Sequence, residues 1–147
     1  MKLLRLTALI VLCCVAVPVL RAQDKDKDKD KIDAGTKAIV AWLAIVDAGK
    51  YEQSWEEASA FFKEKVTKDK WTEDMKETRA PLGKNQSRRL DFADYTTEVE
   101  DGPAGECVFI LYRSKFEKLA DAVETVVVVL EKNGRWRLAG FVIVPVK

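Results

Sequence analysis

Histidine is absent from this 147-residue chain and cysteine is scarce, and both absences restrict its chemistry. Without histidine there is no Ser-His or Cys-His nucleophilic system, no histidine general base and no imidazole metal ligand. Cys13 and Cys14 lie in an apolar leader, which leaves Cys107 alone in the rest of the chain. A single cysteine forms no intramolecular disulfide and is too few for a zinc site. We therefore expect no metal and no cofactor, and we interpret Cys107 as a small buried side chain.

An excess of positive charge is also lacking. When the leader's three basic residues are subtracted from the total of 25, 22 lysines and arginines face 24 acidic residues. Proteins that bind nucleic acid usually present a basic surface that neutralises phosphates. The chain also lacks a glycine-rich loop that opens a helix, as phosphate-binding loops do. We exclude nucleic acid as a partner and a phosphate loop as a site.

Residues 1–22 have the pattern of a secretory signal peptide. Lys2 and Arg5 precede an apolar run over residues 6–17, and Ala22 offers a small residue for cleavage. The run is shorter than the roughly 20 apolar residues that span a bilayer, which favours a cleaved leader over a permanent anchor. The residue two positions before Ala22 is bulkier than signal cleavage usually prefers, so an uncleaved leader stays open as the alternative. The sequence predicts an exported protein, periplasmic or extracellular, with no membrane span after cleavage.

Four Asp-Lys repeats occupy residues 24–31. A segment without apolar residues buries too little surface to offset the entropy lost on ordering. Metal binding is not favoured there, because each carboxylate alternates with an ammonium group that neutralises it. We predict that residues 23–34 form a disordered tether and that residues 35–147 form a single domain.

The first half of this domain predicts three helices. Thr36 is placed to cap the first helix, whose apolar residues recur with helical spacing until Gly49. The second helix is expected over residues 51–62. Thr67 is placed to cap a third helix that ends near Thr78, shortly before a Pro-Leu-Gly turn.

The second half predicts a sheet. Runs of β-branched and aromatic residues, separated by turn-forming residues, predict strands over residues 88–97, 106–116, 122–131 and 135–144. Together with the helices they predict an α+β fold, with three N-terminal helices packed on a curved four-stranded antiparallel sheet in a cone-shaped arrangement.

The last two predicted strands are apolar on both faces. Asn133 and Gly134 predict a two-residue type I′ turn, which would place Val129 opposite Leu138. Helices can cover one face of such a hairpin, and the other face would then usually be polar. We therefore expect the second face to enclose a cavity or to meet a partner.

Residues typical of one bacterial family are distributed over the whole predicted domain. They are Trp42-Leu43, Asp47 with Gly49, Tyr51, Ser54-Trp55, Trp71, Arg79 with Pro81-Leu82-Gly83, Glu124-Thr125, and Trp136 with Gly140. In these residues the sequence resembles the exported family known as domain of unknown function 4019. That family is similar to the nuclear-transport-factor-2-like superfamily, which includes pocket enzymes and non-catalytic binding modules. The resemblance implies a cone-shaped fold and leaves the function open.

Glu124 is the first candidate for a functional residue. It lies in a predicted strand among valines, where an ionised carboxylate needs a partner. Arg79 and Arg113 are the candidate partners. Glu124 is then either half of a buried ion pair that fixes helix against sheet, or a pocket carboxylate that accepts a proton with Tyr95 or Asp94 as a helper.

Tryptophans are the second group of candidates. Trp42, Trp55 and Trp71 lie on helical stripes, where they either line a ligand pocket or, as we favour, fill the core of a small domain. Three hypotheses of function follow. The first is a non-enzymatic exported domain that binds an apolar small molecule or a protein partner through the concave face of its sheet. The alternatives are an acid-base isomerase or hydrolase that uses Glu124, and a homodimerisation module.

Overall fold

A computed structural model describes residues 17–146, with side chains from Lys27 onward. The predicted signal peptide lies mostly outside the described residues and stays a prediction. The elements in chain order are α1 (Val17–Asp47), α2 (Tyr51–Glu56), α3 (Ala60–Lys65), α4 (Lys68–Arg79), β1 (Asn85–Thr96), β2 (Cys107–Phe116), β3 (Leu119–Leu130) and β4 (Trp136–Pro145). The predicted α+β fold, with the helices before an antiparallel sheet, is confirmed. No helix of the described range has the length and apolarity needed to cross a membrane.

The first helix begins much earlier than the sequence predicts. It continues through the Asp-Lys repeats, which we expected to be a disordered tether, and Thr36 lies inside it rather than at its start. Opposite charges three positions apart along the repeat favour a helix, but like charges four positions apart disfavour it by a similar amount, so the repeat itself does not account for the helix. Lys31 also holds this segment to the sheet, because its ammonium lies 2.5 Å from the Glu106 carboxylate and donates a hydrogen bond to the Tyr95 hydroxyl at 3.1 Å.

Close packing of α1 on the sheet depends on a glycine. A Cβ atom at Gly35 would lie only 3.0 Å from a methyl group of Val108 and 3.1 Å from one of Val128. The missing side chain therefore lets the helix backbone approach the middle strands.

The predicted second helix is two short helices. Ser59 interrupts it, since its side chain accepts a hydrogen bond from the Phe62 N–H and its own N–H donates to the Leu138 carbonyl at 2.8 Å. This attachment to β4 ends α2 and caps α3. The predicted cap of the next helix is confirmed, because the Thr67 hydroxyl accepts a hydrogen bond from the Lys70 N–H.

The four strands form an antiparallel sheet in the order β1-β2-β3-β4. The turn between β3 and β4 differs from the predicted type I′ turn. Gly134 has a φ of 79°, whereas Asn133 does not have positive φ, and the Glu131 N–H donates to the Arg135 carbonyl at 3.0 Å. This is a three-residue loop with its glycine in the left-handed conformation. Leu138 consequently pairs with Val128 instead of Val129.

The two sheet faces have different surroundings. One, which we call the helix face, packs against the helices and carries the core residues of the strands, namely Val108, Ile110, Tyr112, Val126, Val128 and Leu138. The other, which we call the open face, carries Phe92, Phe109, Leu111, Val123, Thr125, Val127, Val142 and Val144. Phe92, Val142 and Val144 are 49%, 50% and 50% exposed. The open face is therefore apolar along its middle, and no other described part of the chain covers it there.

Candidate functional site

Glu124 is fully buried on the helix face of β3. Its two carboxylate oxygens accept hydrogen bonds from Arg88, at 2.8 Å from Nε and 3.1 Å from Nη2. The hydroxyl of Ser114 on the neighbouring strand also donates to this carboxylate. The partner of Glu124 is thus Arg88 and neither of the two arginines that we expected. Arg113 lies on the other face, where it pairs with Asp121.

Arg88 also binds a second carboxylate. Its Nη1 donates to Asp47, at the end of α1, at 2.8 Å. Asp47 in turn accepts a hydrogen bond from Arg79 at 2.9 Å, and the Arg79 guanidinium lies 4.8 Å from the centre of the Phe116 ring. The four residues from Glu124 through Arg88 and Asp47 to Arg79, which we call the charge chain, join the sheet to the ends of α1 and α4. Glu124 and Arg79 are buried, Arg88 is partly buried, and the side chain of Asp47 is 27% exposed.

In the charge chain, acidic and basic side chains alternate, and the charged forms of Asp47 and Arg88 are stabilised by their neighbours. Burial alone would raise the pKa of the Asp47 carboxyl, but hydrogen bonds and charge from Arg88 and then Arg79 outweigh burial and hold that pKa below its ordinary value. Burial would likewise lower the pKa of Arg88, and its bonds to Asp47 and Glu124 raise that pKa instead. Tyr112, which lies opposite Glu124 on β2, has a pKa raised mainly by burial and stays neutral. The two arginines and the two carboxylates of the charge chain therefore neutralise one another.

The predicted helpers of Glu124 lie elsewhere. Tyr95 is opposite Val108 at the far end of β1, where its hydroxyl accepts a hydrogen bond from Lys31 and donates one to Glu106. Asp94 is exposed and pairs with Phe109 on the open face. The structure therefore brings neither to Glu124. Among the described residues, His, Cys, Asp and Glu side chains also form no group of three that could hold a metal ion.

The tryptophans form part of the core. The ring centres of Trp42 and Trp71 lie 6.0 Å apart. Both indole N–H groups donate to Ser54, that of Trp42 to the backbone carbonyl at 2.8 Å and that of Trp71 to the hydroxyl at 2.9 Å. Trp55 donates to the Val66 carbonyl at 2.7 Å. All three indole N–H groups are bonded within the chain, so these side chains hold the helices together.

A cleft of about 500 Å³ lies at one end of the sheet. We call it the hairpin cleft, because it lies between α3, the loop before β2 and the β3–β4 hairpin. Its lining includes Phe61, Pro103, Val129 and Leu130. Beneath it, a small apolar cluster contains Cys107, Val129 and Ala139. Cys107 is buried, as predicted, and burial raises the pKa of its thiol.

Sequence reasoning missed both the cleft and part of the charge chain. The cleft is built from a loop and a short helix that the sequence pattern did not separate. Arg88 begins a predicted strand and Asp47 lies near the end of a predicted helix, and neither was expected to take part in an ion pair with Glu124, although a buried carboxylate in a valine-rich strand needs an arginine on the same face of an adjacent element.

Residues 38–141 match the family described as "Protein of unknown function (DUF4019)". The chain belongs to this family. The matched region contains all four residues of the charge chain and all the lining residues of the hairpin cleft, and it begins after the Asp-Lys repeats. Comparison with curated proteins gives no match. The resemblance of this DUF4019 domain to the nuclear-transport-factor-2-like superfamily stays a prediction.

Proposed function

We propose that this DUF4019 domain is a non-enzymatic binding module that holds a small apolar molecule in the hairpin cleft. The cleft itself carries the proposal, because its volume of about 500 Å³ is typical of small-molecule sites, which usually measure roughly 300–1,000 Å³. Its position at the end of the open face fits the expectation of an apolar ligand beside the sheet.

The lining of the cleft supports an apolar body for the ligand. Phe61, Pro103, Val129 and Leu130 supply hydrocarbon surface. Glu131 contributes little free polarity, because its carboxylate accepts a hydrogen bond from the Ala60 N–H at 2.9 Å and lies 3.2 Å from Arg137 Nε.

Exposed polar groups lie at the rim. Glu64, Lys132 and Asn133 line the cleft and are exposed to solvent. A ligand with an apolar body and one polar end fits this distribution, since its body would leave water while its polar end stayed near the rim.

Glu124 gives the rival catalytic function less support. A general base needs a carboxylate oxygen within reach of a substrate proton. Both oxygens of Glu124 are bonded to Arg88, and Ser114 donates to one of them. This arrangement favours the interpretation of Glu124 as half of a structural ion pair.

Titration with the hydrophobic dye anilinonaphthalene sulfonate tests the proposal on the full chain. We expect saturable binding that Ala104→Trp weakens by about tenfold or more, because Ala104 lines the cleft and is exposed. Ala44→Trp, at an exposed position of α1, is the matched control and should bind the dye normally. Thermal unfolding of both variants checks that they stay folded.

Two results would contradict the cleft. One is a wild-type chain that binds no dye. The other is dye binding that survives Ala104→Trp and is lost in Val142→Glu, which would move the apolar site to the middle of the open face.

A further inference from the structure

We propose that the open face packs on the open face of a second copy of this chain, in a two-fold dimer in which each strand lies over its own copy and runs in the opposite direction to it. This surface is separate from the hairpin cleft, so the proposal does not depend on the ligand. Its basis is the apolar area of the face, its size and the distribution of charge at its two ends.

The apolar area spans all four strands. Phe92 and Phe109 meet edge to face with ring centres 6.4 Å apart, and they continue through Leu111 to Val142 and Val144 on the opposite edge strand. Isolated exposed hydrophobic residues are common on protein surfaces, whereas a continuous patch on a sheet marks an interaction surface.

The size of the face fits a second copy. Along β2 it extends from Phe109 to Lys115, about seven residues, and it is four strands wide, which at about 3.3 Å per residue and about 4.8 Å per strand gives about 440 Å². Two such faces together bury about 900 Å², near the lower limit for a specific interface. We therefore expect a weak, reversible dimer.

Charge distinguishes the two ends of the face. From Leu90 to Tyr112 the chain has six acidic residues and no basic one. Two of them pair with basic residues, Asp91 with Arg89 at the opposite end and Glu106 with Lys31, which leaves Asp94 on the open face and Glu98, Glu100 and Asp101 in the loop that follows β1. At the opposite end, Arg89 lies opposite Arg113, and Lys115 follows two residues further along β2. Among the described ion pairs Lys115 has no partner, whereas the two arginines pair with neighbouring aspartates.

This distribution selects one arrangement of the two copies. When each strand lies over its own copy in the opposite direction, the end with Lys115 lies over the end with Asp94, so unlike charges meet twice. The other two-fold arrangement, with β1 over β4 of the second copy, would place like charges together, which disfavours it. The acidic segment also disfavours an anionic membrane as the occupant of the face.

Sedimentation velocity of the full chain, from about 1 µM to about 1 mM, tests the dimer. We expect a concentration-dependent shift from monomer to dimer. Val142→Glu should raise the dissociation constant by about tenfold or more, because it places a charge within the apolar area. Val40→Glu is the matched control, since Val40 is 54% exposed on α1 and away from the open face, and it should leave the dimer unchanged. A chain that is monomeric at every concentration, or equal weakening by both variants, would overturn the proposal.

Charge reversal tests the orientation. Lys115→Glu and Asp94→Lys should each weaken the dimer, and the double variant should recover most of the lost affinity because the two ends exchange their charges. A double variant whose loss equals the two single losses combined would refute the antiparallel arrangement. Circular dichroism of each variant excludes unfolding as the cause.

Discussion

The helix face and the open face are two sides of the same four strands, and they differ in how far their charged side chains are buried. Arg88 and Arg89 are neighbours on β1, yet Arg88 is 15% exposed and binds two carboxylates, whereas Arg89 is 73% exposed and pairs only with Asp91. The alternation of a strand sends the first arginine into the core and the second into water. Burial therefore decides how much each arginine contributes to stability.

Apolar residues show the same difference. Valines on the helix face, such as Val126 and Val128, are completely buried, while Val142 and Val144 on the open face remain half exposed. Valine side chains thus complete the core on the helix face and leave an exposed apolar surface on the open face. The apolar residues of the helix face therefore stabilise the folded core, whereas those of the open face stay exposed and free to contact another molecule.

Arg88→Ala should cause the largest loss of stability. It would leave Glu124 fully buried with only the Ser114 hydroxyl as a partner. Breaking a buried ion pair by removing one partner typically costs about 3–5 kcal/mol. Urea unfolding should show this loss in the free energy of unfolding.

Arg89→Ala is the matched control on the adjacent residue. An exposed pair contributes about 0–1 kcal/mol, so this variant should unfold almost like the wild type. Equal losses in the two variants would show that the contrast between the faces is wrong.

The sequence was sufficient for most elements of the fold. Periodicity placed the strands within three residues of their observed ends, and Thr67 marked the start of α4. Besides the start of α1, two local features were wrong. Ser59 splits a predicted helix because β4 binds its N–H, and the hairpin turn has three residues instead of two. Both features depend on contacts with another part of the chain, those of Ser59 with β4 and those of β3 with β4. A local sequence pattern does not contain such contacts.

The candidate site was predictable in part. The valines around Glu124 indicated a buried carboxylate in need of an arginine, but the choice among several arginines depends on which strand residues face the helices. Two register shifts in β1, near residues 86 and 91, change that alternation. The helical Asp-Lys segment also depends on tertiary contacts, since Lys31 and Gly35 hold it against the sheet.

Asp47→Asn should give an intermediate loss that depends on pH. Asp47 carries hydrogen bonds from Arg88 and Arg79, and the loss of a hydrogen bond to a charged group costs about 1.5–3 kcal/mol. Its folded pKa lies below the ordinary value of 3.8, so its charge stabilises the fold above that pH. This stabilisation is lost as the pH falls through the folded pKa.

The pH profile of the difference between wild type and Asp47→Asn is the measurement. We expect the difference to be constant at neutral pH and to shrink only below about pH 4. Glu73→Gln, at an exposed position of α4, is the control and should show no comparable difference. A difference that changed mainly between pH 6 and pH 8 would disprove the role of the Asp47 charge.

The smallest effects should come from a matched pair of Val→Thr substitutions, one on each face. Val128 is fully buried against Gly35 of α1. A hydroxyl group there would lose its hydrogen bonds to water without gaining a partner in the protein, so Val128→Thr should lower the free energy of unfolding by about 1–2 kcal/mol. Val142 is half exposed, and Val142→Thr should change the free energy of unfolding by less than about 0.5 kcal/mol. Denaturant unfolding at a low protein concentration, where a dimer does not contribute, measures both. A loss at Val142 as large as that at Val128 would mean that the open face is covered within a single copy, because only burial makes the same hydroxyl costly.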